Sequence, residues 1–163
     1  MEYIKANVME NQIECPTDVG REVFNYNDGG RAEAGFKGFT GDCGVRALAI
    51  ALQLPYKEVY DKVNEFCKQE KPSKRRRGMS NARTGIHGIT FRKITDYYGL
   101  EWVATMGICT GCKVHLKADE LPKGRIICNV SKHFTAVVDG VINDTYDCSR
   151  EGTRCVYGYW KVK

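Results

Sequence analysis

Three residues far apart in the chain are of types that could do nucleophilic chemistry together: Cys43, His133 and Asp144. Cys43 opens the run CGVRALAIALQL, in which Val45, Leu48, Ala49 and Leu52 recur at helical spacing. It therefore stands at a helix N-terminus, where unpaired backbone N–H groups and the helix dipole favour an anion, so the thiol should ionise more readily than a free one. The same N–H groups, beginning with those of Cys43 and Gly44, could hold the oxyanion of an acyl intermediate. Asp42 occupies the N-cap position and opposes thiolate formation by its charge, while Arg46, one turn on, restores a positive charge.

His133 and Asp144 fall in HFTAVVDGVINDT, two β-type runs joined by Asp139-Gly140. A two-residue hairpin loop there pairs Val138 with Val141, and the residue numbers of every cross-strand pair then sum to 279. Thr135 faces Asp144 and His133 faces Tyr146 in that register. Side chains alternate, so Asp144 shares a sheet face with His133 as its diagonal neighbour, at about 7–8 Å between α-carbons. An imidazole and an orienting carboxylate are thereby presented together, as a general base beside a nucleophile requires. A bulge that shifted the register by one residue would bring Asn143 round in place of Asp144.

The remaining elements have to bring these residues to one place. Pro55 opens a second helix with the apolar face Tyr56, Val59, Tyr60, Val63, Phe66 and Cys67, and a third is expected from about Thr90 to Tyr98, ended by Gly99. Beyond Leu100 the pattern turns to short strands: LEWVATM, RIICNVS, HFTAVVD, VINDTYD and RCVYGYWKV. Helices first and strands after predict an α+β domain, with N-terminal helices packed on a C-terminal antiparallel sheet. Residues 1–30 read as weakly structured, with a possible strand at YIKANV and turn chemistry at NYNDGGR.

Composition limits the classes open to the chain. Its 163 residues, 42% hydrophobic, suit a single domain spanning 1–163 with enough apolar side chains for a core. No apolar run approaches the roughly 18 residues of a membrane span, and the polar, acidic start is unlike a secretory signal, so a cytoplasmic location is expected. Eight cysteines without regular spacing read as mostly reduced thiols. The net charge of +5 is local: residues 68–83 carry seven Lys/Arg against one acid, Glu70. This basic loop, taken as 68–85, with Lys74, Arg75, Arg76 and Arg77 at its centre, should be exposed and mobile. It could attract nucleic acid or an acidic host protein electrostatically.

The segment TGDCGVRALAIAL, followed ninety residues after its cysteine by HFTAVVDGVINDT, resembles the papain-like cysteine peptidases, above all the double-glycine leader peptidases with their Asp-Cys-Gly helix start and His…Asp strand pair. From about Arg31 to Lys163 the chain also looks like a group of small phage and prophage proteins. The resemblance implies a papain-like core in which the cysteine helix packs against a sheet bearing the histidine. It further implies a thiol hydrolase or acyl transferase acting on a peptide or amide bond, with Cys43, His133 and Asp144 as triad and no cofactor. Such enzymes usually carry a Gln several residues before the cysteine as an oxyanion donor. Here that slot reads Phe36-Lys37-Gly38, which makes Lys37 the substitute donor.

A competing constellation is Cys109-Thr-Gly-Cys112-Lys-Val-His115 with Cys128 beyond it, three sulfurs and a nitrogen that could hold tetrahedral zinc. The alternative to an enzyme is a phage-encoded binding protein that uses the basic loop and has no membrane role.

Overall fold

The computed structural model describes residues 23–163. In chain order the elements are β1 (Val23–Tyr26), α1 (Cys43–Leu52), α2 (Tyr56–Lys68), α3 (Gly88–Tyr97), β2 (Glu101–Ala104), β3 (Arg125–Val130), β4 (His133–Val138), β5 (Val141–Asp144) and β6 (Val156–Lys161). The strands form one six-stranded sheet in the order β1-β5-β4-β3-β6-β2. The fold is α+β, as expected.

The sheet is mixed rather than purely antiparallel, because β1 runs parallel to β5 with Val23 opposite Val141 and Tyr26 opposite Asp144. Residues 23–26 therefore depart from the weakly structured segment expected over 1–30. The strand candidate YIKANV lies outside the described residues. Asn143 secures this edge: its Oδ1 accepts hydrogen bonds from Asn25 Nδ2 at 2.9 Å and Asn27 Nδ2 at 3.2 Å.

α1 forms from strong helix formers, Ala47, Leu48, Ala49 and Ala51, all buried. It ends at Gln53, which adopts φ 57 and donates its N–H back to Ile50 O, while Leu54 N–H reaches Ala49 O. The helix lies on β3, β4 and β5, and α2 covers its outer side with Tyr56, Val59 and Val63. α3 begins at Gly88, two residues earlier than expected, with His87 at its N-cap position.

Strand alternation separates two apolar clusters. Ile127, Ala136 and Trp160 face the helical layer with Val45, Leu48, Phe91 and Ile94. Ile126, Cys128, Val137, Ile142 and Val156 face the other way and are covered by Leu116, Leu121 and Cys148 from the connections around the sheet. Burial of each large aliphatic or aromatic side chain contributes about 1.5–3 kcal/mol, so both faces hold the sheet. A disulfide joins Cys112 to Cys155 and ties the long 105–124 connection to the start of β6. Among the described residues Cys43, Cys67, Cys109, Cys128 and Cys148 are free thiols, so the expectation of mostly reduced cysteines needs this one exception.

Gly158 shapes the sheet surface beside β2. A Cβ there would stand 2.3 Å from the Trp102 indole and 2.8 Å from Val103 O, so only glycine lets Trp102 lie across β6 against Trp160, with ring centroids 4.4 Å apart. Gly158→Ala is expected to displace Trp102 and cost about 1–3 kcal/mol, the usual range for overpacking. Urea unfolding followed by tryptophan fluorescence checks this. A red-shifted native spectrum with a lower midpoint is the expected result.

No helix among the described residues is long and apolar enough to cross a membrane.

Candidate active site

The Asp139-Gly140 turn has φ values of 50° and 87°, both positive as a two-residue hairpin of the twisted type demands. It sets Val138 opposite Val141, Val137 opposite Ile142 and Ala136 opposite Asn143, each pair summing to 279. The ladder ends there, and the next residue, Asp144, pairs with Tyr26 of β1. Alternation still carries Asp144 to the side of His133. Asp144 Oδ2 lies 2.7 Å from His133 Nε2, and the Tyr146 ring centroid is 5.3 Å from that of His133. Asn143, turned toward β1, does not replace Asp144.

With Nε2 engaged by the carboxylate, Nδ1 is the ring nitrogen left for a nucleophile. The Cys43 thiol meets the His133 ring and the backbone N–H of Phe134 from the start of α1. Burial by itself would raise the Cys43 pKa. The hydrogen bond and charge of His133, the Phe134 N–H and the Arg46 charge outweigh it, so the thiol is lowered from its ordinary value. Burial disfavours the imidazolium, but hydrogen bonds to Asp144, Cys148 and Cys43 raise the His133 pKa well above 6.5. Asp144 is likewise pushed up by burial and brought below 3.8 by His133 and the Thr145 N–H, which it accepts at 2.7 Å. All three shifts favour one state: thiolate, imidazolium, carboxylate.

Asp42 does not act as a cap; its side chain makes no hydrogen bond to the first turn of α1. Its carboxylate is buried, accepts hydrogen bonds from Tyr56 OH at 2.5 Å and from Arg46 Nη1, and forms an ion pair with Arg31, whose Nε lies 3.1 Å away. Arg46 in turn reaches Asp144 Oδ1 at 3.2 Å with Nη2. One guanidinium thus joins the residue before the nucleophile to the carboxylate behind the histidine. The first-turn N–H groups of α1 are left without a side-chain acceptor from Asp42, which keeps the Cys43 and Gly44 donors for another anion. Gly44 itself is tightly covered, since a Cβ would stand 3.0 Å from Ile86 and 3.1 Å from Phe91.

An open cleft of about 1070 Å³ runs from Cys43 and His133 over an aromatic floor. Phe134 stacks on Phe91 at 4.0 Å, Trp160 meets Phe91 edge-on at 5.0 Å, and Trp102 follows. Phe39, Ile89 and Tyr146 stand exposed at its rim. Lys37 is exposed and does not line this cleft; its carbonyl accepts from Arg83 Nη2 at 3.0 Å. The loop before Cys43 instead presents Phe39, Thr40 and Gly41.

The basic run is exposed at Lys74, Arg75 and Arg77, as expected, but it is tied down. Arg76 pairs with Glu70, whose second oxygen accepts Ser80 N–H at 2.8 Å, and Ala82 N–H reaches Asn64 Oδ1 at 3.1 Å. Arg76 therefore forms part of the cleft wall instead of standing free on the surface.

The zinc constellation is not assembled. Cys112 is in the disulfide, Cys109 is exposed, Cys128 is buried in the sheet core, and His115 bonds Glu120 through Nδ1 at 3.1 Å. Among the described residues the ligand atoms that do converge, within 4.8 Å of one another, belong to His133, Asp144 and Cys148. An ion there would have to break the His133–Asp144 hydrogen bond. Cys148 and Arg92 entered this neighbourhood without a local sequence signal. Only the tertiary fold brings them in.

No family model matches the chain, and no curated protein or solved structure is similar to it.

Proposed function

We propose that the protein is a thiol-dependent hydrolase or acyl transferase with a papain-like core, acting on a peptide or amide bond. The observation that carries this reading is the placement of Cys43, at a helix N-terminus, beside His133 in one cleft large enough for a peptide, with the His133 ring hydrogen-bonded to Asp144 behind it.

The chemistry follows from the charges already in place. The Cys43 thiolate attacks the carbonyl carbon, and the oxygen takes up negative charge beside the Cys43 N–H. Imidazolium His133 gives its proton to the leaving amine as the C–N bond breaks, which leaves a thioester on Cys43 and a neutral ring. Water, or an amine in a transfer reaction, then loses a proton to His133 and attacks the thioester, and Cys43 departs as thiolate. Asp144 stabilises the imidazolium and fixes the ring. Arg46 holds Asp144 in position.

Labelling with one equivalent of iodoacetamide at pH 6, mapped by mass spectrometry, tests this reading. Among the described residues Cys109 is the exposed free thiol, so accessibility alone would favour it over Cys43. Modification first at Cys43, together with complete loss of peptide turnover in Cys43→Ala, is the expected result. Preferential labelling of Cys109 with Cys43 left intact would end the proposal.

A further inference from the structure

The charges around the cleft are of one sign. Among the described residues no Asp or Glu lines the cleft, whereas Arg46, Arg76, Arg92 and Lys132 all do. Two of these cations are committed internally, Arg46 to Asp42 and Asp144 and Arg76 to Glu70. Arg92 and Lys132 are exposed and have no ion pair among the described residues.

These two lie at opposite ends of the floor. Lys132 immediately precedes His133 in the β3–β4 turn, in the left-handed conformation at φ 57. Arg92 projects from α3 over the Trp102 ring, 5.5 Å from its centroid, an arrangement that holds a guanidinium extended over an apolar surface. Between them the row Phe134, Asn129, Gly158, Ala104 crosses β4, β3, β6 and β2 in register. Three inter-strand steps span about 14 Å, and an extended peptide covers that in about four residues.

We propose that the substrate is an acidic peptide, bound extended over this floor. In it a carboxylate side chain about four residues from the bond attacked by Cys43 is gripped by Arg92 on Trp102, and a second carboxylate beside that bond meets Lys132. Aromatic side chains supply the contact area, and the uncompensated cations set the choice. Substrates carrying Lys or Arg at the far position meet like charge and are rejected. This inference rests on the hydrolase reading for its scissile bond, although the charge preference of the cleft has its own test.

The test uses quenched fluorescent decapeptides in which Glu, Gln or Lys is walked through every position, with the cleaved bond located by mass spectrometry. For the wild type, kcat/KM should be about tenfold higher for Glu than for Gln at one position about four residues from that bond, and lower again for Lys. Arg92→Glu should reverse the order to favour Lys, and Arg92→Gln should level it. Binding of the same peptides to Cys43→Ala, read by anisotropy, should show the same order and weaken with salt. If nothing is cleaved but Cys43→Ala still prefers Glu and Arg92→Glu reverses that preference, the hydrolase reading fails and the acidic-ligand inference stands. Cleavage with equal rates for Glu, Gln and Lys overturns the inference and leaves the hydrolase reading intact. A twelve-nucleotide single-stranded DNA that displaces the peptides while Glu and Gln bind alike would also overturn it, making the cleft a nucleic-acid groove.

Discussion

Replacing His133 with Ala is expected to convert Cys43 from a thiol that alkylates almost independently of pH into one whose alkylation rises about tenfold per pH unit between pH 6 and 8. In the wild type the thiolate is held by the imidazolium, the Phe134 N–H and Arg46, which together overcome the burial that opposes ionisation. Its lowered pKa keeps it ionised in mildly acidic buffer, and His133, raised well above 6.5, stays positive over the same range. The signs agree: reactivity is lost on the acid side only as pH falls through the lowered thiol pKa. Without the ring, burial dominates and pushes the thiol above its ordinary value, so at pH 6 an ordinary thiol's roughly 0.3% thiolate becomes an upper limit. The gain from ionisation is partly offset because a low-pKa thiolate is a weaker nucleophile. A deficit of about tenfold at pH 6 that closes near pH 7 and is reversed by pH 8 is therefore the expected signature in a stopped-flow iodoacetamide series. Asp144→Asn should give the same change in smaller measure, since the base remains while its orientation and charge partner are disturbed. An identical pH profile for wild type and His133→Ala would show that the ring does not activate the thiol.

The relation between His133 and Asp144 was legible because it depends on local rules alone. A Asp-Gly turn defines a register, the register defines which residues share a face, and the side chains then meet across a ladder of only a few pairs. α1 was legible for a similar reason, its apolar spacing and its Cys-Gly start being contained within a dozen residues. β1 was not, because four residues in a polar neighbourhood carry no pattern of their own and gain their partner, β5, from 118 positions further along, as in Val23 opposite Val141. The position of Asp42 suggested a cap. Capping lost to Arg46, Arg31 and Tyr56, whose charged and phenolic donors offer a buried carboxylate more than a backbone N–H at the surface of a helix end. Cysteine spacing likewise suggested a metal set but does not encode pairing, and Cys112 found Cys155 because the 105–124 connection runs beside β6. The sequence concentrates its excess of cations in residues 68–83, of which Arg76 alone lines the cleft. The cleft's free cations are Arg92 and Lys132, one on a helix and one in a hairpin turn, joined only by the sheet between them.

The buried guanidinium that couples these layers leads to the largest stability effect. Arg46 is 8% exposed and bridges two carboxylates, Asp42 at 1% and Asp144 at 3%. Burial disfavours its charge, and the two acids more than compensate, which raises its pKa further. Arg46→Met keeps much of the side-chain volume but leaves two desolvated carboxylates sharing fewer positive partners. Removing one partner from such a buried cluster costs about 3–5 kcal/mol, and the low end applies here because Asp42 keeps Arg31 and Tyr56 while Asp144 keeps His133. A loss of about 3 kcal/mol in urea unfolding at pH 7 is expected for Arg46→Met. Asp42→Asn added to Arg46→Met removes one of the stranded charges, so the double variant should be less destabilised than the sum of the single variants by about 1–3 kcal/mol. The asymmetry distinguishes charge from packing, since a purely steric role for Arg46 would make the two losses additive. The network would then fill space without holding Asp144 to the histidine, and the ring's orientation would have to come from Tyr146 and Cys148 instead.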